Sequence, residues 1–103
     1  MREIDFVSQA EWDVVEERQR QRTDEGWTSE HDDEHNNHEL AHAAVSYAAY
    51  EGPVPPSLWP WDAKWWKPTD RRRSLVKAAA LLVAEIERID RAQSKDDNGD
   101  DTS

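Results

Sequence analysis

The chain has 103 residues, 35% of them charged and 36% hydrophobic, with a formal net charge of -10. That length holds one domain with a thin apolar core, and the acidic balance excludes a general nucleic-acid binder, whose footprint is basic. With no cysteine and no run of transmembrane length, disulfides, thiolate metal sites and a membrane role are excluded.

The N-terminus MREIDF is acidic and unlike a secretory signal, so a cytoplasmic location is expected. Ser8 and Glu11 form an S-x-x-E capping box, and Gly26 supplies a stop, which predicts a helix over residues 9–25. Its apolar face opens with Val7, Val14 and Val15 and then turns polar at Arg18, Gln21, Arg22 and Glu25. Either that second half overhangs solvent, or Arg18 and Arg22 line a polar pocket. GWTSEHDDEHNNH reads as a polar connector. A second helix is predicted from Asn37 to Glu51, with Gly52 beyond it. It is apolar nearly all round, so burial on more than one side is expected, by its own chain or by a second copy.

GPVPPSLWPWDAKWWKP holds five prolines and is predicted to be a long loop with a short turn through DAKWW. Thr69 or Asp70 then caps a third helix running to about Ala92. Leu75, Ala79, Leu82, Val83, Ile86 and Ile89 are its expected core stripe. No strand pattern is visible. The expected fold is all-α: a compact bundle of about three helices with a Trp/Pro-rich loop over residues 1–93, followed by an acidic disordered tail, 94–103. A thin core in so short a chain also favours a homo-oligomer.

One island stands out from the acidic background. Trp59, Trp61, Trp65 and Trp66 lie beside Lys64, Lys67, Arg71, Arg72, Arg73 and Lys77. Indole faces and cations together suit a flat, phosphate-bearing ligand, although the same tryptophans also suit a small core that seals the helices. Arg71, Arg72 and Arg73 fall in the first turn of the third helix, where the macrodipole opposes cations. An anion or neighbouring carboxylates must offset them. The candidate ligand-binding residues are therefore Arg71, Arg72 and Lys67 for phosphate, with Arg18 or Arg22 assisting and Trp65 or Trp66 stacking on a base.

His31, Asp32 and His35 are metal-ligand types at suggestive spacing, though a solvated connector that caps the second helix and pairs with arginines is the plainer explanation. Glu39 and His42 form one E-x-x-H pair, where a di-iron bundle needs two. Asp90 falls within the apolar stripe and needs a partner. That partner is an arginine such as Arg18 or Arg22, or a magnesium ion shared with Glu87.

ERQRQRTDEGWTSEHDDEH, ELAHAAVSYA and WPWDAKWWKPTDRRRSLVKAAALLVAEIERIDR resemble a family of small proteins encoded by bacteriophages and prophages. The resemblance covers most of residues 16 to 91 and implies an origin, hence the host cell cytoplasm, more than an activity. It favours nucleotide metabolism or the countering of host defence. Glu87 and Asp90 also resemble the E-x-x-D motif of the MazG-type all-α nucleotide pyrophosphohydrolases, and Glu16 and Glu17 resemble that family's paired glutamates. The third acid of its E-E-x-x-E motif is Arg20 here.

Three expectations follow. The first is a nucleotide binder without a cofactor, sequestering a host-defence signal. The second is a hydrolase that uses Glu17, Glu39, Glu87 and Asp90 with magnesium or manganese. The third is an acidic interaction protein that inhibits a host protein.

Overall fold

The computed structural model describes residues 7–102, with side chains as far as residue 94. Secondary structure among the described residues is entirely helical. In chain order it comprises α1 (Gln9–Thr23), α2 (Ser29–Asp33), α3 (Glu39–Ala49), a single 3-10 turn (Ala63–Trp65) and α4 (Arg71–Thr102). None of these helices is long and apolar enough to cross a membrane.

α1 starts where the capping box places it. The Ser8 hydroxyl accepts from the Glu11 amide at 3.1 Å, and the Glu11 carboxylate accepts from the Ser8 amide at 2.7 Å. The helix ends at Thr23, two residues before the expected end. Gly26 then takes a φ of +73°, and the Trp27 amide donates back to the Gln21 carbonyl at 2.9 Å. This is the left-handed reversal that glycine makes at low cost.

The connector is not wholly irregular. Thr28 accepts from the His31 amide and starts α2. α3 begins at Glu39, two residues after Asn37, because His38 adopts a left-handed φ of 69° that interrupts the helix. It ends at Ala49, before Tyr50 and Glu51.

α4 is the axis of the molecule, with α3, α1 and α2 all packed on it. Asp70 caps it by accepting from the Arg73 amide at 3.1 Å, and the Ser74 hydroxyl accepts from the Thr69 amide at 3.2 Å. Its backbone stays helical to Thr102, past Ala92; the side chains of the acidic tail from residue 95 lie outside the described residues.

The buried side of α4 is Ser74, Ala78, Leu81 and Ala84, facing Leu40, Ala43, Ala44 and Tyr47 of α3. Small residues on both helices allow close approach. The expected core stripe is mostly the opposite side. Leu75, Leu82, Ile86 and Ile89 are 40%, 46%, 56% and 39% exposed. Two apolar stripes run along this helix, and the bulkier one faces outward.

α1 also departs from expectation. Trp12 and Val15 are about half exposed, whereas Glu17, Arg18 and Gln21 are buried. Its polar half docks on α4 instead of overhanging solvent, because the neighbouring helices supply carboxylates. Arg18 sits between Asp32 of α2 at 2.6 Å and Glu87 of α4 at 3.0 Å, and Arg22 reaches Glu87 at 2.8 Å. Arg91 joins α4 to Asp33 at 2.7 Å. The acid that pairs with Arg18 and Arg22 is thus Glu87, while Asp90 is exposed.

Candidate ligand-binding site

The segment between α3 and α4 folds back over the bundle through its tryptophans. Trp59 and Trp66 are buried against Tyr47. Trp66 stacks on Tyr47 with centroids 4.9 Å apart, and Trp59 meets both rings edge-on at 5.4 and 5.0 Å. Their polar edges are satisfied: Trp59 Nε1 donates to the Asp62 carbonyl and Trp66 Nε1 to the Gly52 carbonyl, each at 3.1 Å. The Tyr47 hydroxyl accepts from the Lys67 amide at 3.2 Å. These three rings anchor the loop.

Beside the anchor lies a cavity of about 600 Å³, within the usual range for small-molecule sites. Trp27, His31, His35 and Trp61 form one wall as a closed circuit of rings. Trp27 is parallel to His31 at 5.8 Å, His31 meets His35 edge-on at 4.8 Å, His35 meets Trp61 at 5.2 Å, and Trp61 returns to Trp27 at 6.0 Å. Trp65, 52% exposed, adds a further face to the cavity.

Lys67 and Lys77 also line this space. The Lys67 ammonium lies 5.7 Å from the Trp65 ring centre. That of Lys77 lies 5.4 Å from the Tyr47 ring centre and donates to the Lys67 carbonyl at 2.9 Å. Neither forms an ion pair with a carboxylate among the described residues. Burial pushes the Lys77 ammonium below its ordinary pKa, and the Arg73 charge adds to this. An entering anion would relieve both effects.

The acids of the same lining are already occupied. Glu17 binds Arg20 at 2.8 Å and Arg73 at 2.6 Å, and Arg20 also holds Glu25 at 3.0 Å. Burial alone would raise the Glu17 carboxyl, but these two guanidiniums hold it below its usual range. Glu87 shows the same balance between burial and Arg18 with Arg22. For His35, burial and the neighbouring His31 push the imidazole below its ordinary pKa, which favours the neutral ring.

Of the seven candidate ligand-binding residues, Lys67 and Trp65 face the cavity. Trp66 is part of the anchor. Arg18 and Arg22 are spent in the ion-pair cluster with Asp32 and Glu87. Arg72 pairs with Asp13 of α1 at 2.8 Å, and Arg71 donates to the Ala48 carbonyl at the end of α3. The unfavourable dipole at the start of α4 is therefore offset by carboxylates of α1 and by a carbonyl of α3. The hollow beside Arg72 and Arg73 is lined equally by Asp13, Glu16, Glu17 and Asp70.

The metal candidates His31, Asp32 and His35 are neighbours, but His31 and Asp32 are otherwise engaged. The Asp32 carboxylate is taken by Arg18 and by His31 Nδ1, the latter at 3.2 Å. Glu39 accepts from the Asn37 amide at the start of α3. No group of three or more His, Cys, Asp or Glu suited to a metal is found among the described residues.

What the sequence did not single out is the use of Trp27, His31 and His35 as an aromatic wall. The signal was present, since these residues recur every four positions, a spacing that places them on one side of a helical turn. No family model, no curated protein and no solved structure matches the chain.

Proposed function

We propose that the protein binds a small planar anion of the nucleotide class in the aromatic cavity. A base would stack among Trp65, Trp61 and His35, and phosphate oxygens would meet Lys67 and Lys77. The observation that carries this reading is one cavity combining a wall of rings with two lysines that form no ion pair with a carboxylate among the described residues. Ring stacking recognises the flat part of the ligand and the ammonium groups its charge. Glu17 and Glu25 of the same lining are engaged by Arg20 and Arg73, which favours binding over turnover in this reading. In a phage-encoded chain, such binding suits the sequestration of a nucleotide signal of host defence.

Thermal unfolding followed by tryptophan fluorescence, against a panel of linear and cyclic nucleotides, tests the proposal. A ligand that binds only the folded chain raises Tm. One nucleotide class is expected to do so. Trp65→Ala should weaken it about tenfold, since stacking on one aromatic ring contributes about 1–3 kcal/mol. Lys67→Gln should weaken it as well. No shift across the panel would overturn the reading and point to a protein partner for the acidic surface.

A further inference from the structure

The outward stripe of α4 has no place in the site described above. Leu75, Ala79, Leu82, Ile86 and Ile89 follow one another at spacings of four, three, four and three residues. This is the alternation that keeps one apolar seam facing a partner helix. α1 and α3 occupy the other side of α4, where Ser74, Ala78, Leu81 and Ala84 are buried. The seam is thus open along about 21 Å of helix, at 1.5 Å per residue.

We propose that this seam joins two copies of the chain, with their α4 helices packed antiparallel. Charge along the face argues for a second copy in that orientation. Arg71 and Arg72 stand exposed at the N-terminal end of the stripe, Arg72 with 59% of its side chain open beside its surface pair with Asp13 and Arg71 beside its bond to the Ala48 carbonyl. Exposed Asp90 stands at the stripe's C-terminal end, Arg91 is taken by Asp33, and the sequence continues with Lys95 followed by Asp96, Asp97, Asp100 and Asp101, so this end is acidic on balance. A parallel pair would set like charges together. An antiparallel pair sets each basic end beside an acidic end and opposes the two helix dipoles.

The register agrees with the packing. Pairing Leu82 with Ile86 of the second copy also pairs Ala79 with Ile89, small against large. The same register brings the turn of Arg71 and Arg72 alongside the turn of Asp96 and Asp97. A chain with so thin a core gains most from covering its largest exposed aliphatic residues. The aromatic cavity lies on the α1 and α3 side of α4 and stays open in this arrangement, so the dimer does not depend on the ligand.

Sedimentation equilibrium of the full chain tests the proposal. A mass twice the 12.0 kDa of one chain is expected. Ile86→Glu, at a position 56% exposed, should halve that mass while circular dichroism keeps its helical signal. If this variant loses helicity, Ile86→Gln serves the same comparison. A monomeric wild type at high micromolar concentration would overturn the proposal and leave the seam to another protein. So would a dimer that survives both variants.

The absence of native cysteine allows a direct test of orientation. Chains carrying Arg72→Cys, mixed with chains carrying Asp96→Cys, should give the mixed disulfide. A disulfide between two Arg72→Cys chains would overturn the antiparallel arrangement.

Discussion

α3 and α1 pack on α4 by opposite means. α3 buries Leu40, Ala43, Ala44 and Tyr47 against Ala78, Leu81 and Ala84, so its contact is small, apolar and close. α1 buries Glu17, Arg18 and Gln21, and its contact is a set of ion pairs to Glu87 and Arg73, continued through Asp32 of α2. Apolar contacts degrade gradually when atoms are removed, because neighbours partly relax into the space. A buried ion pair does not, since removing one partner leaves the other charge out of water with nothing to face. The ionic interface contributes little net stability while intact, yet it is the more fragile of the two.

The largest break expected follows from that fragility. Arg18→Ala leaves Asp32, fully buried, without its guanidinium. A loss of about 3–5 kcal/mol is expected, equivalent to a fall in Tm on the order of 15 °C or more for a domain of this size. Replacing the pair together, as Arg18→Met with Asp32→Leu, should recover much of the loss. If Arg18→Ala melts like the wild type, α1 is not held by this cluster and the contrast with α3 fails.

Acid should separate the two interfaces more gently. The folded carboxyls of Glu17 and Glu87 lie below their ordinary value of 4.5. Their contribution to stability is therefore complete above about that pH and is lost as pH falls through the lower, folded values. His35 acts in the same direction from a higher starting point. Its imidazole is lowered from 6.5, so its contribution is present above that pH and lost as pH falls through the folded value. The α3 contact with α4 is apolar and titrates little. Urea midpoints should fall from pH 7 to pH 4, and helical signal from α1 should be lost before the near-ultraviolet signal of Trp59 and Trp66. Simultaneous loss of both signals would show that the two interfaces unfold as one.

How much of this was legible in the sequence depended on whether the signal was local. The Ser8 capping box, the Gly26 reversal and the Asp70 cap are decided by residues within a few positions of one another, and each can be read directly. The helical class follows from the same local patterns. Which of two apolar stripes on α4 faces inward is a different kind of question. The stripe of Leu75, Leu82, Ile86 and Ile89 is the more hydrophobic, but the bundle is built on Ala78, Leu81 and Ala84 because α3 is itself rich in alanine and needs a small-sided partner. The basic island is ambiguous in sequence for a related reason. In a chain this acidic, Arg18, Arg22, Arg72 and Arg73 find carboxylates far away in sequence, and no spacing rule names Glu87 or Asp13 as their partners. Among the described residues Lys67 and Lys77 are left over from that pairing, which is visible only after the fold is formed.

The smallest expected effect discriminates between the two locations for a ligand. Arg72 is 59% exposed along its side chain, and its pair with Asp13 lies at the surface. Such pairs are screened by salt and contribute little. Arg72→Ala should therefore move Tm hardly at all, and less still at high ionic strength, in contrast to Arg18→Ala. It should also leave nucleotide binding unchanged, because Arg72 does not line the aromatic cavity. Titration of the best nucleotide into Arg72→Ala and Trp65→Ala, side by side, checks this. Loss of binding in Arg72→Ala with retention in Trp65→Ala would move the site to the N-terminal turn of α4. The reverse result would keep it among the rings.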